Sequence, residues 1–115
     1  MKSIVYEVSY YGKQAHAAAH PWDGRSAFDA LQLAFYAADL MQKHMRGCEA
    51  RYILTDNGGI PANVVPEFCK GRFMLYAADE AKLDELCSCV KRIFDAAALM
   101  TETKAEYVEI SDRDM

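Results

Sequence analysis

Three histidines occur in the 115-residue chain, His16, His20 and His44, and His16 is the one placed where it could act. It stands in Gln14-Ala15-His16-Ala17-Ala18-Ala19-His20-Pro21-Trp22, with no bulky neighbour to shield it. The segment falls between a strand end and a helix start. Histidine is the side chain best suited to polarise or protonate a reacting group near neutral pH. Loops held by a rigid scaffold are where such groups usually sit. By spacing alone, the better reading is still an ordinary surface histidine. A second segment, Gly58-Gly59-Ile60-Pro61-Ala62-Asn63-Val64-Val65-Pro66, adds Asn63, whose amide can both donate and accept. Its alternative role is a turn residue bonding its own backbone.

A self-contained hydrolase also needs a nucleophile or metal-bound water, a general base and an oxyanion stabiliser. No His-x-x-x-His, His-x-Asp or Glu-Glu pair stands where ligands are normally built, and Asp84, Glu85 and Glu102 read as a solvated helix face. There is no Gly-x-Ser-x-Gly elbow, and Gly58-Gly59 is too short for a phosphate loop and opens no helix. Cys48, Cys69, Cys87 and Cys89 form no Cys-x-x-Cys pair. They read as buried, reduced thiols rather than a zinc site, which fits a reducing compartment. Alone, the chain is catalytically incomplete.

The elements that must position these residues follow from periodicity. Ser3–Tyr11 alternates, with Ile4, Tyr6, Val8 and Tyr10 on one face and Ser3, Val5, Glu7 and Ser9 on the other, as a strand does. Ala27, Phe28, Leu31, Phe35, Ala38, Met41 and Met45 recur at helical spacing behind a Ser26-x-x-Asp29 cap, with Gly47 as the stop. Arg51–Thr55 is a short strand, Asp56-Asn57-Gly58-Gly59 a turn, and Glu67–Ala77 a longer strand. Asp79 caps a second helix with the stripe Leu83, Leu86, Val90, Ile93, Ala97 and Met100. Lys104–Ile110 is a last strand, and Ser111–Met115 reads as a frayed polar tail. The order β-α-β-β-α-β predicts an α+β, ferredoxin-like sandwich: a four-stranded antiparallel sheet with two helices on one face. The other face must then be polar, or covered by something the chain does not include.

Composition bounds the partners. One domain is expected from this length, with 52% hydrophobic and 26% charged residues. A net charge of -4 and a pI near 5.3 argue against nucleic acid. No apolar run could cross a bilayer and the opening residues lack a signal-peptide core, so no membrane partner and a cytoplasmic location are expected.

Taken in order, Tyr11–Ala27, Thr55–Gly59, Pro61–Pro66 and Ala96–Thr103 resemble the dimerisation (lid) domain of the metal-dependent amidohydrolases that include carboxypeptidase G, the aminoacylases and p-aminobenzoyl-glutamate hydrolase. The look is nearest to the aminobenzoyl-glutamate utilisation subgroup and covers essentially the whole chain. The resemblance implies that residues 1–115 are a single lid domain excised from a larger metallohydrolase. The parent would cleave an amide of an N-acyl amino acid or dipeptide, while the isolated domain is expected to be inactive. Two divalent metal ions, zinc or manganese, belong in the absent catalytic domain, and no cofactor or metal is expected in this one.

The resemblance also implies a homodimer joined through the first helix and the Arg51–Thr55 strand. His16 matches the histidine that reaches into the partner's active site and donates a hydrogen bond to the scissile amide oxygen. Asn63 matches a substrate-holding asparagine. Thirteen residues beyond it, Tyr76 stands where relatives usually carry an arginine for the substrate carboxylate, which implies altered substrate preference. Arg72, four residues away on the same strand face, is roughly 13 Å off and a poor substitute. His20 reads as a loop residue and Trp22 as a packing anchor for the loop. The alternative from another class is a free-standing ferredoxin-like binding or oligomerisation module without hydrolase activity.

Overall fold

A computed structural model describes residues 2–110. The strands are β1 (Lys2–Tyr11), β2 (Cys48–Asp56), β3 (Phe68–Ala77) and β4 (Lys104–Ile110), and the helices are α1 (Ala27–Gln42) and α2 (Glu80–Thr101). A short 3-10 turn covers Pro21–Asp23. The sheet is antiparallel throughout, in the order β2-β3-β1-β4. This is the ferredoxin-like arrangement expected from the element order. The expected tail at Ser111–Met115 lies outside the described residues.

Alternation decides which face each helix meets. Tyr6, Val8 and Tyr10 of β1 and Phe73, Leu75 and Ala77 of β3 are buried under the helices. Phe73 is central, with ring centroids 5.0 Å from Phe94 of α2, 5.6 Å from Phe35 of α1 and 5.8 Å from Tyr52 of β2. The buried Tyr10 hydroxyl donates to the Phe94 carbonyl at 2.9 Å, which satisfies an otherwise costly polar group and ties β1 to α2. α1 approaches the sheet on small residues, Ala27, Ala30, Ala34 and Ala38, with Leu31 among them. The four cysteines are free thiols; Cys69, Cys87 and Cys89 are buried and Cys48 partly so. Burial pushes the Cys69 thiol up to about 11.

The caps act as their sequences imply. Ser26 accepts from the Asp29 amide at 3.1 Å and Asp79 from the Lys82 amide at 2.9 Å. Two boundaries differ by more than one residue. β2 begins at Cys48, earlier than its apolar residues indicate, because pairing with β3 extends to Cys48 opposite Ala77. α1 stops at Gln42, so Met45 is not part of it; i→i+3 bonds from His44 to Met41 and from Met45 to Gln42 tighten the exit. Met100, expected in the α2 core stripe, is 70% exposed instead. It lies over an apolar groove on the outer side of the two helices, beside Leu33, Tyr36 and Leu40.

The helix-free face of the sheet is neither bare nor purely polar. Glu7 takes ion pairs from Arg72 at 3.1 Å and Lys70 at 3.6 Å, and Tyr11 packs on Phe68 with centroids 5.3 Å apart. Val5, in register with Met74 and Ile110, has no exposure. Among the described residues no helix is long and apolar enough to cross a membrane.

Candidate functional site

The His16 loop is built by close backbone packing at the end of β1. The Gly12 amide donates to the Glu67 carbonyl at 2.8 Å, and Lys13 and Arg25 exchange two backbone hydrogen bonds of 2.8 and 2.9 Å. A Cβ on Gly12 would fall 1.9 Å from the Arg25 carbonyl oxygen, so only glycine allows this approach. Beyond it, the chain zips onto the second segment singled out by sequence. Val65 donates its amide to the Ala15 carbonyl at 2.7 Å, Ala17 donates to the Asn63 carbonyl at 2.9 Å, and His16 and Val64 form a bridge between them. The two stretches, far apart in sequence, form one small ladder.

A turn then orients the imidazole. His16 Nδ1 accepts from the amides of Ala18 at 3.2 Å and Ala19 at 3.0 Å. With Nδ1 accepting, the neutral ring carries its proton on Nε2, and His16 is not buried. The arrangement presents a hydrogen-bond donor outward. A ring packed against its own sheet would have excluded an external role.

Arg25 fastens the far side of the loop. Its Nε donates to the Glu102 carboxylate at 2.7 Å and its Nη1 to the carbonyls of Gly24 at 2.7 Å and Trp22 at 3.2 Å. Glu102 sits in the left-handed region, φ 56°, where α2 ends. It is exposed, as a solvated face requires, but it also anchors the loop. Sequence alone assigns Arg25 no role, since only the fold shows which carboxylate it meets. Trp22 is 70% exposed and therefore does not anchor the loop by burial, contrary to the sequence reading. His20 is a loop residue, with Nδ1 3.8 Å from Asp23.

Asn63 has an exposed side chain with no hydrogen-bond partner among the described residues; its carbonyl, not its amide group, holds the ladder. The turn before it is shaped by Asp56 and Asn57, whose side chains accept from the amides of Gly58 at 2.8 Å and Gly59 at 2.9 Å. Beside this segment a depression of about 320 Å³ is lined by Phe28, Leu54, Ile60, Pro61 and Val64.

Tyr76 is elsewhere. It lies near the other end of β3, eight steps from Phe68, or roughly 26 Å at about 3.3 Å per residue. Its hydroxyl donates to the Met74 sulfur, and the Arg51 guanidinium lies 5.6 Å from its ring centroid. Within one chain the fold brings His16 and Asn63 together but leaves Tyr76 apart. Arg72 shares the open face with Tyr76 and is engaged by Glu7. No sequence signal marks Arg51, whose place beside Tyr76 depends on the β2–β3 register.

Among the described residues no group of three or more His, Cys, Asp or Glu could hold a metal ion. His16 and His20 are four residues apart, but their ring centroids are 6.1 Å apart and His16 Nδ1 already accepts two backbone amides. The described residues therefore do not fit a metal centre.

Residues 2–102 match the family model described as the peptidase dimerisation domain. Xaa-Arg dipeptidase of Mus musculus is 34% identical over 94 residues, covering 82% of this chain and 22% of its own length. A p-aminobenzoyl-glutamate hydrolase subunit of Escherichia coli (strain K12) is 34% identical over 98 residues, covering 84% of this chain and 20% of its own length. The solved aminobenzoyl-glutamate utilization protein from Klebsiella pneumoniae superposes with a TM-score of 0.82 at 24% identity, over 95% of this chain and 28% of that one, a likeness of fold. The chain thus spans about a fifth of the length of the curated relatives it matches.

Proposed function

The chain belongs to the peptidase dimerisation domain family, and from that premise we propose that it is the dimerisation and substrate-closing lid of a metal-dependent amidohydrolase, lending His16 to the active site of a partner subunit. The observation that carries the reading is the outward imidazole: Nδ1 is held by two backbone amides, which leaves Nε2–H as an aimed donor. Placed where charge develops on a scissile amide oxygen, such a donor contributes about 3–4 kcal/mol in a water-excluded site. The exposed Asn63 amide beside it suits a substrate carboxylate or amide. The parent's substrate is an N-acyl amino acid or dipeptide-like amide, in keeping with relatives named as a dipeptidase and a p-aminobenzoyl-glutamate hydrolase. Its two divalent ions, zinc or manganese, are held by a catalytic domain outside this chain, and the protein is cytoplasmic.

Separation of the polar groups along the sheet supports a composite site. β2 is an edge strand, with Cys48 at the Tyr76 end of the sheet and Asp56 at the His16 end. Two copies paired antiparallel through β2 about a two-fold axis would set the Tyr76 end of one beside the Asn63 end of the other. One chain cannot do this.

The test mixes two inactive variants of the full-length enzyme, His16→Ala and a metal-site variant. Random exchange makes half of the dimers hybrids, each with one intact site of two, so about a quarter of wild-type activity should return. Activity equal to the sum of the two separate variants would overturn cross-subunit donation.

A further inference from the structure

Trp22, the only tryptophan of the chain, is 70% exposed on the 3-10 turn Pro21–Asp23. Its backbone, by contrast, is held at several points. The Asp23 amide donates to the His20 carbonyl at 3.1 Å and the Gly24 amide to the Pro21 carbonyl at 3.0 Å. Arg25 Nη1 donates to the Trp22 carbonyl at 3.2 Å. A Cβ on Gly24 would stand 3.0 Å from both the Ala15 Cβ and the Val65 Cγ1, so the turn is pressed against the ladder that carries His16. The His20 amide donates to the His16 carbonyl, which puts His16 and Trp22 in one block no more than about 13 Å long. An aromatic side chain on a fixed backbone loses little entropy on docking, and tryptophan is among the residue types most enriched in interface anchors.

Trp22 has apolar company. The guanidinium that holds its carbonyl also holds the Glu102 carboxylate, so these oxygens are at most about 8 Å apart, the span of two hydrogen bonds and one guanidinium. Leu99 and Met100, just before Glu102, are 82% and 70% exposed. Side chains this exposed project from the surface, whereas a substrate pocket is concave and hides most of its ligand. Apolar groups gathered in this way mark a contact with another protein surface. The sheet topology decides which surface can reach them. Lys2 pairs with Ala77 and Ile110 with Val5 at one end of the sheet, while Tyr11 pairs with Lys104 at the other, where the His16 loop begins. β1 covers nine steps, roughly 30 Å at about 3.3 Å per residue. A catalytic domain continuing from either end of this chain would leave from the end remote from Trp22.

We propose that Trp22, with Leu99 and Met100 beside it, is the anchor by which this domain docks on the catalytic domain of the partner subunit, seating the indole in an apolar hollow of that surface. The inference rests on the lid reading for the partner's identity: the body that receives His16 faces the block that carries Trp22. It adds a contact that holds this block in place whether or not substrate is bound.

The experiment reads the tryptophan emission under acrylamide quenching. In the 115-residue chain that emission comes from Trp22 alone and should be quenched freely. In the full-length dimer the Trp22 signal is the difference between wild type and Trp22→Phe. Its quenching constant there should be smaller by about threefold or more with no substrate added, because interface anchors sit in desolvated pockets. It should return to the value of the short chain when the dimer is dissociated by dilution. Leu99→Asp, at a side chain already 82% exposed, should raise the quenching of Trp22 in the full-length dimer towards that value. Equal quenching in dimer and short chain, protection that survives dissociation, protection only in the presence of N-acetyl-phenylalanine, or no response to Leu99→Asp would each overturn the proposal. Rescue in the mixed-variant assay with a freely quenched Trp22 would remove this anchor and leave the donation of His16. A protected Trp22 without rescue would do the reverse.

Discussion

Replacing Gly12 by alanine isolates the packing that holds the His16 loop. The added Cβ would stand 1.9 Å from the Arg25 carbonyl oxygen and 3.2 Å from the Ala27 nitrogen, where ordinary contact begins at 3.4 Å. The backbone must therefore open by roughly 1.5 Å, the shortfall from ordinary carbon contact. That is enough to break the paired Lys13–Arg25 hydrogen bonds of 2.8 and 2.9 Å. Overpacking of this kind costs about 1–3 kcal/mol, and each lost backbone bond about 1 kcal/mol. A total of about 3–5 kcal/mol corresponds to a melting point lower by about 12–40 °C for a domain of this size. Gly59→Ala is the control, with nothing within 4 Å of its added Cβ but φ at +66°; it should cost only about 1 kcal/mol of backbone strain. Urea unfolding at constant m-value measures both. The imidazole nitrogen signals of His16 should shift in Gly12→Ala and stay put in Gly59→Ala. If Gly12→Ala proves no more destabilising than Gly59→Ala, close approach is not what shapes this loop.

Asp79→Ala should lower stability by about 1 kcal/mol in the same unfolding assay, because the Lys82 amide loses its cap; no change would show that water replaces the carboxylate without cost. Alkaline pH should weaken the fold. Burial raises the Cys69 thiol from 9.0 to about 11 and raises the Tyr10 phenol above 10.0. The folded state then holds these protons more tightly than the unfolded chain, so the Cys69 contribution is complete below pH 9 and is lost as pH rises through 11, while that of Tyr10 starts to be lost only above pH 10. The urea midpoint should fall across that window, less steeply in Cys69→Ala and Tyr10→Phe; a flat midpoint in the parent chain would refute the burial argument.

Much of the fold is readable from residue types because its signals are local. Alternating Tyr6, Val8 and Tyr10 mark the helix-facing side of β1, and Asp79 and Ser26 mark helix starts through bonds reaching three residues ahead. Errors arise where a neighbour distant in sequence decides. β2 is lengthened by its pairing with β3, and Val5, which stands between Met74 and Ile110 of the adjacent strands, has no exposure although it lies on the open face. Trp22 and Met100, whose size suggests burial, find no layer above them within the described residues.

Element order, capping, and the presence of a histidine and an asparagine in segments bearing the family's pattern are all legible in the bare chain, since each depends on a few adjacent residues. How those groups point, and which of them meet, emerges from folding alone. The ladder between Ala15–Ala17 and Asn63–Val65 sets His16 beside Asn63, while the length of β3 carries Tyr76 to the opposite end of the sheet. The guanidinium of Arg51 reaches the Tyr76 ring only through the antiparallel β2–β3 register. Hydrogen-bond register between distant strands is a long-range property, and no local run of residue types encodes it.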